Sequence, residues 1–385
     1  MNIHICLVSD QLLANYIPVL MAKPDQVHLV SSIYVTKKGL TDRFERLLRQ
    51  QGFVVVRHEA MPDATIAAIR DYANALWHTI NEKLPNAQIT LNITGGNKLM
   101  VLGMSEVFNG AVEKVIYTDT LHHCIENLHD QSKESLLSVL DIKQYLQAYG
   151  IKYLSAESDK TDWLEKVLAR KTITKYLAEQ SPVLDSFIGI LNYLAQQALA
   201  KDKHDLMLSQ PLQCLDRTPN KLWREALLKL QNASLLLWDG DKEITFLDME
   251  RTRYLGGIWL EEYVYFIARD AAPEHVAGGV KINWDTSRQS TNELDVILVH
   301  RNRMLVIECK TLKFGNNEQK ESDMVYKISD LGDELRGLFG KTWLVSAREP
   351  NDVIKERAKS RSLEIIAAGD LRNLRQKVLQ WMQAN

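Results

Sequence analysis

The 385-residue chain contains no run of eighteen apolar residues, so no segment reads as a membrane-spanning helix. Cysteine is scarce and scattered. Cys6, Cys124, Cys214 and Cys309 form no CxxC pair, and Cys6 and Cys309, set in apolar runs, read as small buried thiols. Neither sign of charge dominates: 47 Lys and Arg against 49 Asp and Glu leave a formal net charge of −2. That balance excludes a constitutive polybasic DNA-coating protein, while a local basic cleft stays compatible with it. No basic leader precedes the first apolar run, Ile3-His4-Ile5-Cys6-Leu7-Val8, which meets Ser9-Asp10 at once. It reads as a first strand, not a signal peptide. Internal repeats and low-complexity tracts are absent as well. The chain is expected to be cytoplasmic, with no membrane partner.

The length allows two or three domains, each with its own core. Through the first 120 residues, strand and helix patterns alternate. Strands are expected over residues 3–8, within 28–35, and over 53–56, 88–93 and 112–117. Helices are expected over 12–22, 41–51, 64–84 and 97–108, with Gly52 closing the second. This βαβα rhythm predicts a doubly wound, Rossmann-like α/β sheet. Residues 141–200 read as mainly helical. A helix over 219–230, with Thr218 as N-cap and Pro219 at N1, precedes a strand–turn–strand around Asp239-Gly240-Asp241. That outline is winged-helix-like, but the segment 221–229 has few cations, so a connector is the preferred reading. The last third enters through Gly256-Gly257 and a helix over 258–268. A hairpin follows, then a helix over 325–338 and strands over 342–346 and 363–367, which complete a second α/β sheet. The expected domains are 1–140, 141–250 and 251–385.

The chemistry concentrates in that hairpin. Asp295 opens the apolar run Val296-Ile297-Leu298-Val299, and Glu308-Cys309-Lys310 ends the run Met304-Leu305-Val306-Ile307. Side chains at i and i+2 share a face of a strand, so Glu308 and Lys310 point together. A two-residue turn at Arg301-Asn302 pairs His300 with Arg303, and the same register sets Asp295 opposite Glu308. Like charges directly opposed destabilise a sheet unless something lies between them. Two carboxylates, the Cys309 carbonyl and water suit Mg²⁺ or Mn²⁺, with Lys310 placed to steady a phosphate or polarise water. On the preceding helix, Leu260, Tyr263, Val264 and Ile267 form the buried stripe. Glu261 lies beside that stripe and Glu262 nearly opposite it, so both are candidate carboxylates, with Glu261 the better placed.

A second cluster lies near the N-terminus. A strand runs straight into Thr94-Gly95-Gly96-Asn97-Lys98, which opens a helix. Glycines admit a close ligand, and free N–H groups at a helix N-terminus attract phosphate. Ser9-Asp10-Gln11 follows the first strand and should share that edge of the sheet. The spacing is neither a Walker A loop nor GxGxxG, so a dinucleotide is not expected.

A helix Glu, then Asp, then Glu-x-Lys on a hairpin resembles the PD-(D/E)XK nuclease superfamily in its restriction-endonuclease-like branch, with Leu294 where the name pattern has proline. The resemblance implies that Asp295 and Glu308 hold the metal, that Lys310 orients the attacking water, and that Tyr326-Lys327 approaches the substrate. Thr94–Lys98, in its position, resembles the signature of the CRISPR-associated Rossmann fold (CARF) sensors, which dimerise around cyclic oligoadenylates. Together these ends resemble the ancillary effector nucleases of type III CRISPR defence. The implied protein is a homodimer activated by a cyclic oligoadenylate, most commonly the tetra-adenylate, that degrades RNA, DNA or both with Mn²⁺ or Mg²⁺. Two other readings stay open: a restriction-like endonuclease without that regulator, and a sensing DNA-binding regulator whose nuclease fold is inactive.

Overall fold

The N-terminal apolar run becomes β1 (Asn2–Leu7), buried from Ile3 onward, as a parallel strand covered on both faces must be. The computed structural model describes residues 1–202, 205–284, 291–311, 340–361 and 363–384. Strand β1 lies between β2 (Gln26–Val30) and β4 (Gln88–Asn92), parallel to both. Outside them run β3 (Val54–His58) and β5 (Lys114–Asp119), also parallel, then the antiparallel ribbon β6 (Cys124–Asn127) and β7 (Lys133–Ser135). The order β3-β2-β1-β4-β5-β6-β7 reverses direction at β1. The crevice beyond the carboxyl ends of β1 and β4 is therefore the topological switch point, where open α/β sheets bind ligands.

The helices of this domain are α1 (Leu12–Ala22), α2 (Ile33–Lys37), α3 (Leu40–Gln50), α4 (Ile66–Lys83) and α5 (Lys98–Phe108). Four of them match the expected spans closely. The strand expected within 28–35 is present but ends at Val30, because Ser32 caps the short α2 by accepting the Val35 N–H at 3.4 Å. Ribbon β6–β7 escapes a periodicity reading because Lys133-Glu134-Ser135 is polar and exposed throughout.

The middle of the chain is less purely helical than expected. Helix α6 (Ile142–Ala148) opens with a capping box between Asp141 and Gln144. Strand β8 (Ile151–Ala156) follows, then the 38-residue helix α7 (Thr161–Ala198). Strand β8 leaves the connector altogether and pairs antiparallel with a strand of the last domain. After the ribbon β9 (Leu199–Asp202) and β10 (Asp205–Leu208) comes a three-stranded sheet. Its strands are β11 (Leu212–Cys214), β12 (Leu236–Trp238) and β13 (Glu243–Phe246), and it packs with α8 (Lys221–Asn232) in the expected winged-helix-like outline. The cap of α8 is Asn220, which accepts the Trp223 N–H at 2.9 Å. Thr218 instead bonds Asp241 at 3.1 Å, so the helix starts two residues later than expected.

The last domain begins with α9 (Met249–Arg253), a wide π-turn over Tyr254–Ile258, and α10 (Trp259–Asp270). Its sheet runs β18-β17-β16-β15-β14-β8, with β14 (His275–Trp284), β15 (Thr291–His300), β16 (Arg303–Lys310), β17 (Gly340–Ser346) and β18 (Glu364–Ile366). Helices α11 (Asp352–Ser360) and α12 (Leu374–Gln383) complete the fold. The helix expected over 325–338, with Tyr326 and Lys327, lies outside the described residues.

The hairpin strands are buried on both faces by different partners. Val296, Leu298, Leu305 and Ile307 join a core built from α7, α10 and α12. Ile297, Val299, Met304 and Val306 join Leu12, Tyr16, Phe44, Leu47 and Tyr145 in a core that continues into the N-terminal domain. Each fully buried side chain of this kind contributes about 1.5–3 kcal/mol, so the two domains share much of their stability.

Candidate functional site

The hairpin register is the one expected. His300 pairs with Arg303, and Arg301 and Asn302 both adopt positive φ, 49° and 59°, as a type I′ turn requires. Carried onward, this register sets Asp295 across from Glu308, one position beyond the last hydrogen-bonded pair, Val296 with Ile307. The Asp295 carboxylate accepts the Cys309 N–H at 2.7 Å, taking the place of the missing rung. On the other flank, Gly279 has φ 60° and drops out of the ladder between Gly278–Val296 and Val280–Leu294. Leu294 and Val296, two residues apart, consequently pack into different cores. The alternation breaks at Asp295, a device that re-aims a side chain beside many active sites.

Glu308 and Lys310 share a face, with Lys310 Nζ 2.6 Å from Glu308 Oε1. Burial, and then the negative charge of Glu308, push Asp295 up to about 7. Burial works to lower the Lys310 pKa, yet Glu308 and Asp295 outweigh it and hold the ammonium charged. Glu261 is raised well above the usual carboxylate range by burial and by Asp295. The centre is thus crowded with negative charge that one lysine neutralises only in part.

Its donors suit a hard divalent cation. Lys310 O accepts the Ala347 N–H at 2.9 Å, so the main-chain groups of Lys310 face β17. Those of Cys309 therefore face β15, where its N–H meets Asp295. Asp295, Glu308 and the Cys309 carbonyl are the oxygen donors that could hold Mg²⁺ or Mn²⁺ there. Among the described residues, no three His, Cys, Asp or Glu side chains form a ready-made cage.

The two neighbouring glutamates part company. The charged groups around Glu261 are Asp295, Glu293, Lys310 and Glu308. Glu262, 1% exposed, is paired instead with Arg170 of α7, which also reaches Glu250. Burial pushes Glu262 up to about 7 against the pull of Arg170. The helix face opposite the apolar stripe meets α7 and not solvent, and both glutamates line the cleft that contains Asp295. The π-turn sets this geometry. Gly257 has φ 144°, and a Cβ there would lie 2.7 Å from Thr311 Oγ1. Asn192 of α7 donates to Thr311 O at 3.0 Å. Glycine at 257 therefore lets the end of β16, next to Lys310, approach the start of α10.

Two clefts of about 280 and 300 Å³ flank the centre and share Arg253, Ile258 and Glu261. Lys160, Lys166 and Lys281 line one, and Lys310 and Thr311 the other. The sequence reading missed these outlying cations because they come from separate elements and form no local pattern.

At the N-terminal edge, Ser9-Asp10-Gln11 and Thr94–Lys98 follow the adjacent parallel strands β1 and β4. A Cβ on Gly95 would lie 1.8 Å from Leu7 O, so only glycine fits, and Gly96 has φ 77°. Some of the polar side chains here already have structural work. Asn97 caps α5 by accepting the Met100 N–H at 2.9 Å and donates to Asp63 O at 2.7 Å. Thr94 Oγ1 donates to Asn92 at 2.5 Å and accepts the Thr118 N–H at 2.8 Å. Lys98 is exposed. Two neighbours were not anticipated: Lys38 reaches Asp10 at 3.4 Å and lies 4.5 Å from the Tyr34 ring centroid.

Fold and site together define a protein with a Rossmann-like domain at one end of the chain and a nuclease domain at the other. The model of the Card1 CARF domain matches residues 3–145, and that of the Card1-like endonuclease domain matches residues 248–385. The chain is similar to Can2 from Sulfobacillus thermosulfidooxidans, solved in complex with cyclic tetra-adenylate, at 26% identity and TM-score 0.79 over 99% of this chain and 97% of that one. It shares its fold with protein VC1899 from Vibrio cholerae, at 21% identity and TM-score 0.81, covering 99% and 98% of the two chains. A type III CRISPR defence DNA nuclease activated by cyclic oligoadenylate matches at 14% identity and TM-score 0.54, over 92% of this chain and 47% of that one. No curated protein matches the sequence. Among the described residues, no helix is long and apolar enough to cross a membrane.

Proposed function

We propose that the protein is a cytoplasmic, homodimeric, metal-dependent nuclease that a cyclic oligoadenylate switches on to cleave RNA, DNA or both. The observation that carries the nuclease assignment is the approach of Glu261, Asp295, Glu308 and Lys310 at the open end of one hairpin. The regulator rests on the CARF domain, on the glycine-lined crevice between β1 and β4, and on the likeness to Can2, whose ligand is cyclic tetra-adenylate. Ser9, Asp10, Gln11 and Lys98 would face that ligand, with the peptide N–H groups around Gly95 and Gly96. Leu99 and Leu102, 41% and 59% exposed on α5, offer an apolar surface for a second copy beside the crevice.

In the nuclease, Asp295, Glu308 and the Cys309 carbonyl would hold Mn²⁺ or Mg²⁺. When bound, the ion supplies charge stabilisation for the phosphorane-like transition state and makes water easier to deprotonate. Lys310 donates a hydrogen bond to the attacking water or a phosphate oxygen, and Glu261 accepts one from the water's far side. Lys160, Lys166 and Lys281 hold flanking phosphates of the strand. The division of labour follows segments 1–140, 141–250 and 251–385, with β8 lent to the nuclease sheet.

The test is cleavage of labelled single- and double-stranded RNA and DNA with Mn²⁺, across a panel of cyclic oligoadenylates. Wild-type protein should cut only with its matching ring, and Glu308→Ala should not cut. Undiminished cleavage by Glu308→Ala would refute the site.

A further inference from the structure

The catalytic hairpin is anchored at its far end. Asn302, in the turn between β15 and β16, is 1% exposed. Its side-chain oxygen accepts the N–H groups of Val139 and Leu140 at 2.9 and 3.2 Å, and its amide donates to Leu137 O at 2.6 Å. All three bonds go to the segment that leaves β7 of the N-terminal sheet and enters α6. Glu274 adds a second staple, accepting the Arg301 N–H at 2.7 Å and the Ser138 hydroxyl at 3.0 Å. The opposite end of the hairpin carries Asp295 and Glu308, about 20 Å away along six residues of strand.

Between the two ends, five consecutive pairs from His300–Arg303 to Val296–Ile307 keep the strands in register. The strand pairing stops just before the carboxylates, where the Asp295 side chain bridges to the Cys309 N–H in place of a main-chain rung. A ladder clamped at its turn and joined at its far end through a side chain carries a displacement of the turn to the spacing of the carboxylates. Helix packing against Ile297, Val299, Met304 and Val306 from the N-terminal side supplies the surface on which such a rocking would occur.

We propose that Asn302 is the positioning residue through which the N-terminal domain sets the geometry of the nuclease centre. It acts through the hairpin and touches neither substrate nor ligand. The proposal rests on the sensor reading above and names its route: ribbon β6–β7, segment 137–140, Asn302, then the β15–β16 ladder to Asp295 and Glu308.

Asn302→Gly tests it, because glycine accepts the φ of 59° without strain while removing the clamp. Arg301→Gly, at the other left-handed turn position, is the matched control. Cleavage with and without cyclic tetra-adenylate, ligand affinity by calorimetry and thermal unfolding are measured on the full chain. Asn302→Gly should bind the ligand as wild type does, yet its ratio of ligand-stimulated to basal cleavage should fall to within about twofold of one, the loss of coupling free energy. Arg301→Gly should keep the wild-type ratio. A merely structural role would lower both rates together and leave the ratio intact, and that outcome overturns the proposal. Should Asn302→Gly not fold, Glu274→Ala cuts the exposed second staple and should lower the ratio, and an unchanged ratio there is equally fatal. Wild-type cleavage that ignores every cyclic oligoadenylate would remove the sensor reading, and the proposal with it. Wild-type stimulation beside an unaltered Asn302→Gly ratio would remove the clamp alone.

Discussion

Replacing each of two adjacent glutamates by alanine should have opposite consequences. Glu262→Ala removes a carboxylate that is 1% exposed and leaves the Arg170 guanidinium, 11% exposed, with only the outlying Glu250. Breaking a buried pair by deleting one partner costs about 3–5 kcal/mol. Because Glu250 keeps part of the pairing, a loss near 3 kcal/mol follows, which for a chain of 385 residues is a midpoint lower by roughly 4 °C. Cleavage, measured well below that midpoint, should be near normal, since the Glu262 carboxylate is held by Arg170 of α7. Glu261→Ala removes a carboxylate crowded by Asp295 and Glu293, so in the absence of metal it should leave stability unchanged or raise it by roughly 1 kcal/mol. Its cleavage should drop about a hundredfold or more. The assay is thermal unfolding in EDTA beside single-turnover cleavage in Mn²⁺. A Glu262→Ala protein that melts normally but cannot cut, or a Glu261→Ala protein that melts early but cuts, would refute the division between them.

Further outcomes follow from the same geometry. Lys310→Ala should abolish cleavage and leave cyclic oligoadenylate binding intact, while Lys98→Ala should weaken binding and leave the nuclease centre unaltered, as calorimetry and cleavage at saturating ligand would show. Gly257→Ala should cost about 2 kcal/mol or more, because of its φ of 144° and the nearby Thr311 Oγ1, and should slow cleavage by displacing Lys310. A variant with wild-type melting and rate would contradict that. His4, 1% exposed, is lowered from 6.5 to about 4 by burial. Its folded pKa lies below the unfolded one, so the stability it preserves is full above pH 6.5 and is lost as pH falls toward 4. The slope is about 1.4 kcal/mol per unit, close to 3 kcal/mol over the window. His4→Leu should flatten that part of the stability profile relative to wild type, and an unchanged slope would show that His4 is not the group titrating.

What was legible in the sequence depended on how local its cause was. The Arg301-Asn302 turn constrains its own flanks, so the pairing of His300 with Arg303 and the facing of Asp295 and Glu308 followed from spacing. The switch-point edge was equally readable, because a strand running into Thr94-Gly95-Gly96 leaves the backbone few choices. The partner of Glu262 was not legible for the converse reason. A helical wheel distinguishes one apolar face from its opposite, and only the distant α7 reveals that the opposite face is also covered. Strand β14 was passed over because Gly278 and Gly279 interrupt its apolar pattern, the same glycines that make room for Tyr265 and Glu157. Strand β8 could not be assigned from its neighbours in sequence, since its partner lies over a hundred residues away. Asn220 displaced Thr218 as a cap by two positions, a difference within reach of either residue type.

The loan of β8 has a consequence for how such a protein can fail. Without residues 151–156, the ten-residue β14 would present a bare row of peptide groups along the rim of the nuclease sheet, a template for adhesion between chains. A proteolytic cut after residue 156 would therefore separate the nuclease sheet from its edge strand. It yields a fragment with a sticky border and half of a shared core stripped away.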